Sequence, residues 1–299
     1  MLRGLAMGAA DIVPGVSGGT VAFITGIYPR LLHSLRSFDL AALKMVLRGD
    51  LAAAWRHVDG AFLAWLLAGI ATSILTLAQL FGWLLEHYPE PLWGFFFGLI
   101  LASAGMLARQ IPGWSGPRVL ALLAGTLVAL AIALAPRAGF LPGYPGVFLA
   151  GFIAICAMIL PGISGSFILL LLGMYAVTLE AIRGFDLVYI AVFGVGAAAG
   201  LMCFSRLLDW LLTHFRGATL ATLTGFLFGS LAVVWPWKRT LSFVTGRDGE
   251  PRPAQQWPVL PGDYSGEPML LLCLGLALVG FGLVLVVDLR WGRLKVEAD

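Results

Sequence analysis

Residues Asp11–Thr20 read DIVPGVSGGT, and a related stretch, MILPGISGSF, occupies Met158–Phe167. The prolines of the two stretches, Pro14 and Pro161, are 147 residues apart. At that spacing identical residues recur, namely Ile12 and Ile159, Gly15 and Gly162, Ser17 and Ser164, Gly18 and Gly165, Gly26 and Gly173, Tyr28 and Tyr175, Arg36 and Arg183, Phe38 and Phe185, and Asp39 and Asp186. So many matches at one fixed distance indicate an internal duplication, which predicts a fold of two related halves.

Each copy of the motif lies within an apolar run, where Pro-Gly-x-Ser-Gly disfavours a continuous helix. Proline lacks an N–H group and clashes with the preceding turn, and glycine loses the most backbone entropy on ordering. We therefore predict helix breaks at Pro14 and Pro161. In hydrocarbon such breaks are tolerated only in buried or cavity-lining positions, which favours two re-entrant helical hairpins. Two kinked helices packed through glycines are the alternative.

The second arm of each hairpin is predicted to begin near Ser17 or Ser164. The first N–H groups of a helix have no partners within it, and they carry partial positive charge, which suits an anion such as phosphate. Glycines let a ligand approach the backbone, and hydroxyl groups add donors. The predicted phosphate-contacting residues are Gly15, Ser17, Gly18, Gly19 and Thr20 in the first copy and Gly162, Ser164, Gly165 and Ser166 in the second.

The composition is that of an all-α integral membrane protein. Of the 299 residues, 60% are hydrophobic and only 12% charged, and the mean hydropathy is +0.92. These values lie far outside the range of soluble domains. We interpret residues 1–299 as one membrane domain and the apolar N-terminal stretch as mature structure, because the duplicated region follows it directly.

The apolar runs predict two hairpins and about six transmembrane helices. The hairpins cover about residues 5–28 and 146–180, and the spans cover 61–81, 92–108, 119–135, 187–208, 218–235 and 268–287. Repeat 1 then runs over about 5–108 and repeat 2 over about 146–235, with 119–135 as a linking helix that inverts the second half. Residues 237–267 are predicted to form a polar loop. Inverted repeats with broken helices are typical of transporters that work by alternating access.

Lysine and arginine concentrate in segments that the predicted spans put on one side. These are residues 30–60, 109–118 and 206–216 and the C-terminal tail. The positive-inside rule predicts that this side, including the C-terminus, is cytoplasmic.

Arg36 and Arg183 lie at matched positions just beyond the two hairpins. Because arginine binds phosphate with a planar fork of donors, we predict that they receive a phosphate at the two faces, with Asp39 and Asp186 as their partners. The alternative is ordinary interfacial snorkelling with a local salt bridge.

Asp11 lies three residues before the first break, and its counterpart in the second copy is Met158. A carboxylate within the membrane is costly, so it is a candidate site for a proton or cation that couples transport. A structural bond to the loop backbone is the alternative. His33 and Glu180 also occupy matched positions and are weaker coupling candidates.

No pattern of residues indicates an enzyme. The sequence holds no HExxH or Walker motif, and its four histidines and three cysteines are not at metal-ligand spacing. We predict neither a cofactor nor a metal, and nucleic-acid binding has no support.

The double motif resembles a bacterial family of polyprenyl-phosphate transporters, and the resemblance extends over nearly the whole chain. It implies that undecaprenyl phosphate moves from the outer to the inner leaflet of the cytoplasmic membrane, which recycles the lipid carrier for peptidoglycan and other envelope polymers. It also implies which motif residues form the functional region, namely Asp11, Pro14, Gly15, Ser17, Gly18, Gly19 and Thr20 in the first copy and Pro161, Gly162, Ser164, Gly165 and Ser166 in the second. The expected partners are this lipid, the bilayer and a coupling proton or cation; a homo-oligomer stays open.

Three other functions remain as alternatives. A small-anion channel or exchanger would use the same paired helix N-termini, and a sealed aqueous pore would distinguish it from a lipid carrier. An enzyme of lipid phosphates would need a His or Asp nucleophile near the basic residues, and none is convincing. A structural or insertion factor would not need the paired breaks.

Overall fold

The computed structural model describes residues 1–12, 17–135, 143–245 and 251–296, so Pro14 and Gly15 lie outside the described residues. In chain order the helices are α1 (Leu2–Ile12), α2 (Gly18–Ile24), α3 (Tyr28–Arg36), α4 (Leu40–Leu47), α5 (Leu51–His57), α6 (Gly60–His87), α7 (Pro89–Arg109), α8 (Gly116–Leu134), α9 (Gly143–Ile159), α10 (Gly165–Leu171), α11 (Tyr175–Arg183), α12 (Leu187–His214), α13 (Arg216–Ser230) and α14 (Leu270–Val296). Two strands, β1 (Lys238–Thr245) and β2 (Pro251–Pro258), and a 3₁₀ turn at Pro261–Asp263 lie between α13 and α14.

Five of the described helices are long and apolar enough to cross a bilayer, so the chain is a multi-pass membrane protein. They are α6, α7, α8, α12 and α14. The predicted span at 218–235 is shorter than expected, because α13 has only 15 residues and ends at Ser230 in a series of turns. Most of α13 is buried against other helices rather than exposed to lipid, and this packing explains how a short helix is tolerated.

Glycines bring the long helices together in four close pairs: α1 with α6, α9 with α12, α7 with α14, and α8 with α13. A Cβ atom on Gly94 of α7 would lie 2.6 Å from the carbonyl oxygen of Cys273 in α14, and one on Gly200 of α12 would lie 2.6 Å from that of Phe152 in α9. Small residues at such contacts let helix backbones approach closely in lipid, where no hydrophobic effect drives association.

The first helix of each half runs beside the long helix that follows its hairpin. Gly4 packs against the backbone of Leu66 and Gly8 against that of Ile70, so α1 runs in the same direction as the first half of α6. Gly151 packs against the backbone of Phe193 in the same way, so α9 accompanies the first half of α12. Gly4 and Gly151 are themselves 147 residues apart.

The core of the protein lies where α2, α7 and α13 meet. Ala22, Ile100, Leu107, Leu223 and Leu227 are buried there in one apolar cluster. This cluster encloses the short helix α2, which carries the second part of the first motif.

Residues 237–267, predicted as a polar loop, contain the antiparallel pair β1–β2, so the chain is not entirely α-helical. Proline and glycine signals suggested a loop, because proline is uncommon in strands, but β1 and β2 pair although β2 contains three prolines. Trp237 Nε1 donates a hydrogen bond to the carbonyl of Pro268 (2.8 Å), which fixes the base of the hairpin. The ammonium group of Lys238 lies 3.9 Å from the centre of the Trp93 ring, and its burial lowers the pKa of Lys238 to about 7.

Glycine packing gives a direct test of the helix pairs. In α7, a Cβ on Gly98 would overlap the backbone of Ala277 in α14, whereas a Cβ on Gly105 would meet no other described atom within 4 Å. We expect Gly98→Ala to destabilise the protein by about 1–3 kcal/mol, the usual cost of overpacking. Gly105→Ala is the matched control and should leave the protein as stable or slightly more stable, because alanine favours a helix. Thermal unfolding in detergent measures both; equal melting temperatures would contradict the close α7–α14 packing.

Candidate functional site

The two motifs contact each other through hydrogen bonds between distant parts of the chain. Ser17 Oγ donates to the carbonyl of Leu160 (3.2 Å), and the N–H of Gly162 donates to Thr20 Oγ1 (3.0 Å). Tyr28 is almost completely buried, and its hydroxyl donates to the carbonyl of Ile159 (3.0 Å). Three side chains of the first half thus satisfy backbone groups that the second break leaves without helical partners.

The start of α2 is occupied by two side chains of the first motif itself. Asp11 Oδ1 accepts a hydrogen bond from the N–H of Gly18 (2.7 Å), and Ser17 Oγ accepts one from the N–H of Gly19 (3.1 Å). Ser17 is therefore the N-cap of α2. The structural bond from Asp11 to the motif backbone, stated above as the alternative to a coupling role, is thus present in the described conformation.

The second motif is arranged differently. Helix α9 ends at Ile159 and α10 begins at Gly165, so Pro161 lies between the two helices. Gly162 has φ +85°, a conformation that favours glycine. Ser164 Oγ and Ser166 Oγ lie 2.9 Å apart and form a hydrogen bond, and the side chain of Ser164, the N-cap residue of α10, accepts no capping bond from the described backbone.

An apolar cavity of about 510 Å³ opens beside the two motifs. Asp11, Gly19 and Tyr28 line its inner end, and Leu35 and Phe38 line it near the end of α3. The rest of the wall is apolar and comes from α1, α3, α6, α9 and α12. Among the described residues of this wall, Asp11 alone carries a formal charge at neutral pH, so the cavity suits a long apolar group that ends in one polar head.

Asp11 Oδ2 is buried and has no hydrogen-bond partner within the described part of the chain. Among the described residues the other such side-chain atom is Ser73 Oγ, which lies on α6 against Gly8 of α1. Buried polar atoms are nearly always paired, so each of these two unpaired atoms calls for an explanation.

Arg36 forms an ion pair with Asp209 near the end of α12, so the prediction of Asp39 as its partner was wrong. Asp39 instead accepts a bond from the N–H of Ala42 (2.9 Å) and contacts His57 (3.2 Å). The Ala42 bond and then the His57 contact hold the pKa of Asp39 below its usual value. Asp186 likewise caps α12 through the N–H of Tyr189 (3.0 Å). Both aspartates accept a backbone N–H at the start of a helix, and for Asp39 this local role takes the place of the predicted pairing with Arg36.

Arg36 and Arg183 lie toward opposite ends of the molecule. Arg183 ends α11 just before α12 begins, although its side chain lies outside the described part, whereas Arg36 contacts the far end of α12. The 28 residues of α12 correspond to about 42 Å, enough to cross a bilayer. His33 and Glu180 are both exposed, on α3 and α11, and neither lines the cavity beside the motifs.

Sequence reasoning missed three residues of this region. Tyr28 served only to align the two halves, although a tyrosine in an apolar hairpin needs a partner for its hydroxyl. Asp209 and Arg206 lie one turn apart near the end of α12, and no local pattern connects them with the first hairpin. Only the packing of α12 against α3 brings them there.

Comparisons with known proteins agree on one family. Residues 7–251 match the family model described as undecaprenyl phosphate translocase-like. The chain is 49% identical over 291 residues to a protein of Vibrio cholerae serotype O1 named polyprenyl-phosphate transporter, covering 96% of this chain and 94% of that protein. It is 31% identical over 254 residues to a Staphylococcus aureus protein of the same name, covering 79% of this chain and 85% of that protein. No solved structure matches significantly.

Proposed function

The chain belongs to the undecaprenyl phosphate translocase-like family, and from this premise we propose that it carries polyprenyl phosphate across the bacterial cytoplasmic membrane. The proposed direction is from the outer to the inner leaflet, which returns the lipid carrier used in the synthesis of peptidoglycan and other envelope polymers. The proposed orientation has α4–α5, the basic loops and the C-terminus in the cytoplasm, as the distribution of Lys and Arg suggests.

The observation that carries this proposal is the apolar cavity that ends at the two motifs. A polyprenyl phosphate has a long apolar tail and an anionic head, and an isolated charge in hydrocarbon costs tens of kcal/mol by Born reasoning. The polar groups at the inner end of the cavity would lower the cost of holding the anionic head. The apolar wall would keep the tail in an apolar environment. A channel for a small anion would need a polar wall, so the lining weighs against that alternative.

The helix pairs support an inverted repeat with two re-entrant hairpins. The α1–α6 pair corresponds to α9–α12, and the α7–α14 pair to α13–α8. Because α6 begins next to α4–α5 and α12 ends near them, α1 and α9 begin at opposite ends of the molecule. In this proposal their breaks meet between those ends. In this proposal α8 and α14 hold equivalent places in the two halves, which extends the repeats beyond the boundaries expected from the sequence.

We keep the motif residues as the proposed phosphate-contacting set, with one condition that the geometry adds. The carboxylate of Asp11 already accepts the N–H of Gly18, the same donor that a phosphate would use. Two anions cannot share this donor, so phosphate binding requires that Asp11 withdraw or take up a proton. We propose that this exchange couples transport to a proton or cation and that the unpaired Asp11 Oδ2 is its site.

The test is transport of labelled undecaprenyl phosphate between the leaflets of proteoliposomes, with chloride flux followed in the same vesicles. We expect lipid movement in the wild type and a loss of at least about tenfold in Arg36→Ala/Arg183→Ala, because each arginine is expected to supply charge-assisted bonds to phosphate. Arg30→Ala is the matched control, since Arg30 lies on the same helix as Arg36 but pairs with Asp59. Chloride flux without lipid movement would replace this proposal by an anion channel.

A further inference from the structure

A second cavity, of about 700 Å³, lies between the helices α4 and α5 and the end of α12. Its wall is apolar except for Asp39 and Arg206 at its edge, and Leu43, Ala54 and Trp55 line its α4–α5 side. We call it the α4–α5 cavity. It shares Phe38 and Met202 with the cavity beside the motifs, so the two cavities are adjacent.

Arg206 is the cation at this edge. Its guanidinium donates hydrogen bonds to two carbonyls, those of Met202 (2.8 Å) and Phe38 (3.1 Å). No carboxylate in the part of the chain that the structure describes forms an ion pair with it. Asp39 also faces the cavity, but its carboxylate is held by the N–H of Ala42 and by His57. Arg206 thus retains N–H donors and an uncompensated charge for an anionic group.

The elements that build this cavity occur in one half only. After the matched Phe38-Asp39 and Phe185-Asp186 pairs, α12 begins at once, whereas α6 begins only after residues 40–59, which form α4 and α5. Several apolar side chains of α4 and α5 are exposed, among them Leu40, Leu47 and Leu51, which is the character of helices lying in a membrane interface. A cavity of this kind therefore lies at one end of the molecule and makes the two faces unequal.

We propose that the α4–α5 cavity is a docking site for polyprenyl phosphate at one membrane face, with the phosphate on Arg206 and the first part of the tail along Leu43, Ala54 and Trp55. The choice of occupant rests on the function proposed above. It also rests on charge complementarity at Arg206. In addition, this cavity lies directly beside the one that ends at the motifs. In this arrangement the lipid passes Phe38 and Met202 on its way between the interface and the motifs.

The experiment uses two photoreactive probes with the same polyprenyl tail, one a phosphate and the other the uncharged alcohol. The full-length protein is placed in nanodiscs of neutral lipid and irradiated, and the labelled peptides are identified by mass spectrometry. We expect the phosphate probe to label α4–α5 peptides at least about tenfold more strongly than the alcohol, the ratio that one charge-assisted hydrogen bond supplies. Arg206→Gln should abolish this preference and leave labelling by the alcohol unchanged.

Several variants separate a phosphate contact from a structural role of Arg206. Arg206→Lys keeps the charge and should retain most of the preference. Arg56→Gln is the matched control, because Arg56 is exposed on α5 and does not line the cavity. Ala54→Phe should block labelling by both probes, whereas Ala52→Phe, at a position outside the cavity lining, should not.

Three outcomes would overturn the proposal: equal labelling by the two probes in the wild type, no label in α4–α5, or displacement of the probe by phosphatidylglycerol as readily as by unlabelled polyprenyl phosphate. The last result would identify an ordinary membrane phospholipid as the occupant. Transport measured with the same purified protein in proteoliposomes keeps the two proposals apart. Transport without α4–α5 labelling removes only the docking site, and phosphate-selective labelling without transport removes only the transport function.

Discussion

The substitution Asp11→Asn is expected to leave the protein folded and to abolish the pH dependence of transport. The side-chain oxygen of asparagine still accepts the Gly18 N–H bond, so the start of α2 keeps its partner. The amide, however, carries no charge and takes up no proton, so it cannot perform the proposed exchange with phosphate. In Asp11→Asn, the transport that the wild type drives against a lipid gradient should fall to the passive level. Transport in proteoliposomes over a range of external pH measures this effect.

Two further variants define what Asp11 contributes. Asp11→Ala removes the acceptor as well, leaves the N–H of Gly18 without its partner, and should destabilise the protein by about 1–3 kcal/mol. Asp50→Asn is the matched control, because Asp50 also accepts one backbone N–H at a helix start, that of Ala53 (3.0 Å), but is exposed and lines neither cavity. A pH profile in Asp11→Asn that follows the wild type would remove Asp11 as the coupling group.

Thr20→Val is expected to weaken the contact between the two motifs. Valine has nearly the same shape as threonine but accepts no hydrogen bond, so the N–H of Gly162 loses its partner in a fully buried site. With no water to replace that bond, the free energy of unfolding should fall by about 1–3 kcal/mol. Transport should fall as well, because the second break would no longer be held against the first. Denaturant unfolding in detergent and lipid transport measure the two effects.

Thr25→Val controls for the change of a hydroxyl to a methyl group at the end of the same helix. Thr25 Oγ1 donates to carbonyls of its own helix, those of Val21 (2.8 Å) and Ala22 (3.4 Å), so its loss leaves no described N–H group unpaired. Ser17→Ala should add to the effect of Thr20→Val, and a double-mutant cycle would measure how strongly the two bonds cooperate. Equal stability of Thr20→Val and Thr25→Val would show that the contact between the motifs contributes little.

The amino-acid sequence by itself determined the membrane class and the position of most helices. Long apolar runs have few other stable forms in a bilayer, because each backbone group must find its partner within the segment. This constraint is local, and the helices α6, α7, α8, α12 and α14 lie close to their predicted places. The duplication of DIVPGVSGGT also pointed to the family, since the spacing of Pro14 and Pro161 is a property of the sequence alone.

Tertiary structure alone decided which groups meet. Ser17 and Thr20 bond to Leu160 and Gly162, and Arg36 pairs with Asp209 rather than with nearby Asp39. Such pairings depend on how α3 packs against α12 and on how the two breaks approach each other, which follow from interhelical packing and leave no periodic trace in sequence. The same reason applies to the α4–α5 cavity, which is formed by residues that are distant in the chain and become neighbours only when α12 packs against α4 and α5. The β1–β2 pairing is local, and the prolines of β2 concealed it, because proline is uncommon in strands.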